Sequence, residues 1–313
     1  MGIALALFLG AACSDGVGPA NVAPGEGFIF GKFSPATGVE IYVMRTDGTG
    51  RRVLTDTDGE NALPAWSPDA RRIAFVSTRD TVPGERRVSQ LYVMNADGTN
   101  QRPLTDRAGG YVDGSVAWSP DGTRLVYVCR EFGDLQEQLC VIGADGTGKR
   151  RLLPAGWRGI DPAWSPDGRT IAFSGWDPVN IGYLHLWGVA PEGGTPRQIS
   201  VALNTLHEQQ PAWSPDGTHL AFQGIRPRPP YAPGLPEVFT MRVDGSERSP
   251  LIADMSPVST SSSARWSADG TRIAFLRDYT ADEGLYIANA DGTGARRVDT
   301  DAYPIGYFSW TGR

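Results

Sequence analysis

Short apolar stretches separated by polar corners of Gly, Pro, Asp and Ser run along most of this chain. Arg72-Ile73-Ala74-Phe75-Val76 and Arg124-Leu125-Val126-Tyr127-Val128 are two of them. They are too short for helices and rich in β-branched and aromatic residues, so they predict strands. Leu91-Tyr92-Val93-Met94 leads into Asp97-Gly98, a tight hairpin signal, and Arg102-Pro103-Leu104-Thr105 follows as the return strand. Alternation of apolar and polar residues inside these runs is imperfect, as expected of sheets covered on both faces.

The pattern repeats. PAWSPDA at 64–70 recurs as VAWSPDG at 116–122, PAWSPDG at 162–168 and 211–217, ARWSADG at 264–270 and a final FSWTGR at 308–313. Their tryptophans, Trp66, Trp118, Trp164, Trp213, Trp266 and Trp310, are spaced by 44 to 53 residues. A second landmark, Asp-Gly, falls between them at 47–48, 97–98, 145–146, 244–245 and 291–292, with Glu192-Gly193 in the remaining slot. A period of about 40–50 with several short strands per unit indicates a β-propeller. Within a unit, Ser-Pro-Asp-Gly turns a first strand into a second, because Pro presets the first corner of a type I turn and Gly closes it.

Phe28–Phe30, Ile41–Met44 and Arg52–Thr55 supply only the second, third and fourth strands of a unit, while Tyr307–Thr311 supplies only a first. Joined, they complete a blade and remove the exposed edge of the sheet. The expected fold is therefore all-β: a six-bladed propeller of four-stranded antiparallel blades in one domain, 28–313. Its ring closes by pairing strands in 28–55 with the strand at 307–311.

Composition and charge then narrow the chemistry. The 39 Gly and 24 Pro among 313 residues oppose long helices, while 40% hydrophobic residues suffice for a core and exclude structureless low-complexity sequence. Twenty-nine Lys and Arg against 35 Asp and Glu give a net charge of −6 with no basic run beyond Lys149-Arg150-Arg151, so no nucleic-acid footprint is present. No Gly-x-Ser-x-Gly elbow, Walker loop or dinucleotide fingerprint occurs, and three His leave little material for a triad. No metal or cofactor is expected, and a monomer is.

Ile3–Ala12 is an apolar run too short to span a bilayer but of signal-peptide length. Residues 1–12 are read as a signal peptide and 13–27 as a flexible linker. Leu9-Gly10-Ala11-Ala12-Cys13 resembles the lipobox of bacterial lipoproteins, although no Lys or Arg precedes the run and Gly10 stands where that family prefers Leu. The resemblance implies lipidation at Cys13, and Ser14 behind it implies the outer membrane. Export would also favour a disulfide between Cys129 and Cys140, which flank a predicted hairpin loop. Their diagonal offset strains the spacing such a bond needs.

The WSPDG, Ile-Ala-Phe and LYVMNADGT elements together resemble the propeller repeats of the TolB family, also seen in prolyl-oligopeptidase-type proteases. This implies the fold more strongly than a function. The α/β domain that precedes the TolB propeller and the hydrolase domain of the proteases are expected to be absent.

In an up-and-down blade the connections between strands one and two and between three and four share one end; both are short and nearly invariant here. The other connections vary, which marks that end as the binding face. Glu60, Asn61, Tyr111, Asp113, Arg158, Asp161, His207, Glu208, Gln209 and Tyr303 precede the Trp strands and are expected at the channel mouth, with Ser261 and Ser262. Trp157, Trp176, Tyr183, Arg226 and Tyr231 are expected on the rim, as residue types that dominate interface energies. The function expected is non-catalytic binding of a protein or peptide partner in the periplasm or cell envelope. The rival is a polysaccharide lyase or hydrolase using His207 and Glu208.

Overall fold

The structure, a computed structural model, describes residues 27–34, 37–81, 88–107, 110–133, 136–178, 182–200, 206–225, 236–252, 260–278, 283–298 and 307–310. Six four-stranded antiparallel sheets form the blades of a propeller, and no α-helix occurs among the described residues. Blade 1 is Asn61–Trp66, Arg72–Ser77, Gln90–Asn95 and Arg102–Pro103. The inner strands of blades 2 to 5 are Tyr111–Trp118, Arg158–Trp164, His207–Trp213 and Thr260–Trp266. Blade 6 takes its inner strand, Phe308–Trp310, from the end of the chain and its other three, Gly27–Ser34, Gly38–Arg45 and Arg52–Val53, from the beginning.

Phe28 lies opposite Trp310, Ile29 opposite Ser309 and Phe30 opposite Phe308. The Phe28 ring meets those of Trp310 and Phe308 at 4.9 and 5.8 Å. These rings pack with Leu276, Leu285 and Ile287 of blade 5, so ring closure and the blade 5–6 core are one apolar cluster. Second and third strands, such as Ile73–Val76 and Leu91–Met94, are buried along their whole length, because a neighbouring blade covers each face. The fourth strands are shorter than the sequence indicates: Arg102–Pro103 replaces the expected Arg102–Thr105. Leu104 still donates to the Leu91 carbonyl at 2.7 Å, but Leu91 then donates to the Thr105 hydroxyl at 3.0 Å. A side chain there ends the backbone ladder.

The motif tryptophans hold blades together. The indole nitrogens of Trp118, Trp213 and Trp266 donate to the carbonyls of Ala65, Ala163 and Ala212 in the preceding blade, at 3.0, 3.1 and 3.2 Å. Arg72, Arg124 and Arg272 lay their guanidinium groups over Trp118, Trp164 and Trp310 of the next blade at 4.6 to 5.6 Å. Trp187 is likewise buried, with its indole donating to the Gly175 carbonyl.

The Asp of each Ser-Pro-Asp-Gly or Asp-Gly turn described next anchors its own corner. Asp216 accepts from the Ser214 hydroxyl at 2.6 Å and from the Thr218 backbone at 3.0 Å, and Asp269 accepts similarly from Ser267 and Thr271. Hydrogen bonding to the charged form holds both carboxyls down to about 2. Asp47, Asp97, Asp145, Asp244 and Asp291 are lowered by the same bonds from Thr or Ser two residues on. A lowered folded-state pKa contributes stability that is complete above the ordinary value of 3.8 and is lost as pH falls through the folded one. The melting temperature should therefore drop steeply between about pH 4 and pH 2. A melting temperature flat across that interval would contradict this.

Candidate functional site

At the end of the propeller carrying the variable connections, side chains from blades 2 and 3 form a continuous band. Phe132, 55% exposed, packs against Tyr111 with ring centroids 5.9 Å apart. The Arg130 guanidinium lies 5.8 Å from the Tyr111 ring and forms an ion pair with Glu137. Glu137 also binds Arg158, through Nη2 at 2.6 Å and Nε at 3.2 Å, and Arg158 lies over the Trp176 ring at 4.7 Å. Burial works against the Glu137 charge, but the Arg158 hydrogen bond and the two guanidinium charges prevail and lower its pKa. Trp157 stands edge-on to Trp187 at 4.7 Å, and its carbonyl accepts from Gln138 at 2.6 Å.

Four residues singled out in the sequence, Tyr111, Arg158, Trp157 and Trp176, thus fall in one region. Arg130, Phe132 and Glu137 were not singled out, although they lie in the variable connection Arg130–Gln138. Tyr183 lies elsewhere on this end, its ring 5.0 Å from that of His207.

The other expected mouth residues separate by register. In the inner strand of blade 3, Ile160 pairs with Ser174 and Ala163 with Ala172, so a bulge places one extra residue between them. The same shift occurs in blades 1, 4 and 5. Counting back from Trp, positions −1 and −4 therefore share a face, and −5 turns to the other. Asn61 and Glu208, both at −5, are 0% and 1% exposed and do not line the mouth. Asn61 donates to Glu40 and accepts from Ser77 and Arg79. Glu208 accepts from Ser200 and Arg248, with His185 Nδ1 at 3.6 Å.

Ser261, also at −5, is buried beneath a hydrogen bond from the Val238 backbone. Gln209, at −4, shares the face of Ala212. His207 is half-buried, with Nδ1 accepting from the Leu184 backbone at 3.3 Å, and burial followed by the charge of His185 lowers its pKa. Glu60 is exposed. Asp113 belongs to a described strand, but its side chain, like Cys13, Arg226, Tyr231 and Tyr303, lies outside the described residues. Among those residues no group of three or more His, Cys, Asp or Glu could hold a metal ion.

Three residues before each Trp come Leu63, Ser115, Asp161, Gln210, Ser263 and Tyr307. At Leu63, Asp161, Gln210 and Ser263 the backbone is left-handed, with φ from 52° to 55°. This strain accompanies the bulge. Hydrogen bonds here cross between blades: Ser115 to Asp161 at 3.4 Å, and the Ser263 backbone to Gln210 Oε1 at 2.9 Å. Burial raises Asp161 to about 6 despite the positive charge of Arg265 and a hydrogen bond from the Gln210 backbone. Tyr307 of blade 6, partly exposed but with its phenol desolvated, has its pKa raised by that desolvation and then by Asp161, and hydrogen-bonds Gln210 of blade 4. Apart from Leu63, these residues make a polar waist. Of them only Asp161 is among the residues expected at the mouth; counting positions back from Trp identifies the rest.

Cys129 and Cys140 form a disulfide with a Cα separation of 5.8 Å. Cys129 pairs with Gln138 and Cys140 with Tyr127, so the bond is diagonal, within the range that a twisted antiparallel pair allows.

The chain belongs to the TolB beta propeller domain family, whose pattern matches residues 123–306. Among solved structures it is similar to TolB from Acinetobacter baumannii, with 16% identity and a TM-score of 0.72 over 92% of this chain and 67% of that one. It also resembles a putative TolB from Agrobacterium tumefaciens, at 23% identity and a TM-score of 0.55 over 84% and 90%. Dipeptidyl-peptidase 5 of Porphyromonas gingivalis shares 45% identity over 38 residues, 12% of this chain and 6% of that protein. The chain thus spans a small part of that curated relative, and the structural likenesses concern the fold alone.

Proposed function

We propose that this propeller is a non-catalytic scaffold of the cell envelope that binds a protein or peptide through its variable end. The observation carrying this reading is the continuous band Tyr111, Phe132, Arg130, Glu137, Arg158 and Trp176. Arg and aromatic side chains dominate interface energies, and here a shared carboxylate fixes both guanidinium groups before any partner arrives. The Cys129–Cys140 disulfide supports an oxidising compartment outside the cytoplasm. The burial of Glu208 against Ser200 and Arg248 supports a structural role for the carboxylate on which the rival enzyme reading relies.

Affinity capture from envelope extracts should retain a partner on the native protein. Phe132→Ala or Trp176→Ala should each weaken retention by roughly 10- to 30-fold, the size of a hot-spot truncation. A native protein that retains nothing, or variants that retain as much as native, would refute the reading. For the lipid anchor at Cys13, mass spectrometry of the mature protein should find a chain beginning at an acylated Cys13. An unmodified Met1 would refute it.

A further inference from the structure

The end of the channel opposite the variable rim opens into a cavity of about 300 Å³, ringed by the six motif tryptophans and the prolines beside them. All six blades contribute the residue just before Trp to its wall. Four of these are Ala65, Ala117, Ala163 and Ala212, and the fifth is Ser309. The sixth is Arg265, a long cation in a slot that otherwise carries side chains of one or two heavy atoms. Packing does not call for it, since the equivalent position is filled elsewhere by a methyl group.

Among the described residues its donors are largely unused. Nη1 donates to the Ala264 carbonyl at 2.8 Å. Asp161 from blade 3 and Tyr307 from blade 6 are the charged or titratable groups that face Arg265, and Asp161 makes no direct ion pair with it among the described residues. Asp161 is instead engaged by the Ser115 hydroxyl and the Gln210 backbone. A guanidinium inside a narrow, protein-walled lumen, with most of its fork free and flat apolar faces above it, matches an anion attached to an apolar body.

We propose that this tryptophan-ringed funnel is a binding site for a small organic carboxylate, with its carboxylate on Arg265 and its apolar body against the prolines and the partly exposed Trp213 and Trp266. The volume suits a ligand of one ring and a short chain, at the lower end of small-molecule sites. This site is independent of the variable rim, and its failure would leave the partner-binding reading untouched.

The test uses the full chain, 3-phenylpropanoate as the probe and its neutral amide as the control, read by tryptophan fluorescence and calorimetry. The carboxylate should bind saturably with a Kd below about 1 mM, and the amide at least about tenfold more weakly, as expected on losing a charge-assisted hydrogen bond. Arg265→Gln should weaken the carboxylate about tenfold while leaving the amide unchanged, and Arg265→Lys should keep part of the preference. Lowering the pH from about 7.5 to about 5.5 should tighten carboxylate binding, because a protonated Asp161 no longer competes for the Arg265 charge. Equal binding of acid and amide by the native protein, or no saturable binding of either below about 10 mM, would overturn the proposal without recourse to any variant.

Discussion

Gly292→Ala is expected to destabilise the protein by about 3–5 kcal/mol, among the largest effects of any single methyl addition here. Gly292 closes the hairpin of blade 5 with φ +84°, its backbone donating to the Asn289 carbonyl at 2.8 Å. A Cβ there would stand 1.7 Å from the Leu251 carbonyl oxygen and 2.9 Å from its carbon, in the fourth strand region of blade 4. Neither atom can yield, because Leu251 is buried and its own backbone donates to Val238 at 2.8 Å. The substitution therefore combines left-handed strain with a forced separation of two blades. Gly148→Ala provides the comparison: φ is +68°, but nothing lies within 4 Å of a Cβ built there. It should cost only about 1–2 kcal/mol, the backbone contribution alone. Equal losses in chemical denaturation would contradict the inter-blade role of the Asp-Gly turns.

Phe308→Ala should have a comparable effect by a different route. Phe308 is 1% exposed, packs edge-on to Phe28 at 5.8 Å and lies opposite Phe30 in the closing pair. Emptying that site forfeits about 3–5 kcal/mol of burial and packing. Among the described residues, Phe308–Trp310 and the Tyr307 carbonyl, which accepts from the Gly31 backbone, hold the end of the chain into blade 6, so the strand opposite Phe28–Phe30 should be released with it. Limited proteolysis should then cut the variant first near either end of the propeller, before any cut within blades 2 to 4. Uniform cleavage along the chain would contradict closure by this strand.

Much of the fold is legible because each blade states the same rules again. Ser-Pro-Asp-Gly and Asp-Gly fix two corners, and the incomplete units at Phe28 and Trp310 fix how the ring closes. The site is less legible for a reason that lies in the inner strands. Asn61 and Glu208 are expected at the channel mouth because they precede the Trp strands, and that position does not say which face of the strand each side chain takes. The bulge adds a residue, sends −5 into the blade stack and leaves Asp161, Gln210 and Ser263 at the waist in left-handed conformation. Pro follows Leu63, Asp161 and Gln210, but nothing in those residues announces φ near +55°. The rim band has a different origin. Arg130, Glu137 and Arg158 are ordinary charges in sequence, and only the meeting of blades 2 and 3 makes them one network.

The central claim, that the variable end is the docking face, is tested most directly by site-specific photo-crosslinking in envelope extracts. A photoreactive amino acid replacing Phe132 should yield a discrete adduct with a partner, lost when Arg158→Glu is added. The same group replacing Thr123, in the exposed Ser-Pro-Asp-Gly turn at the opposite end, should yield none. Adducts from position 123 without any from 132, or from neither, would contradict the account.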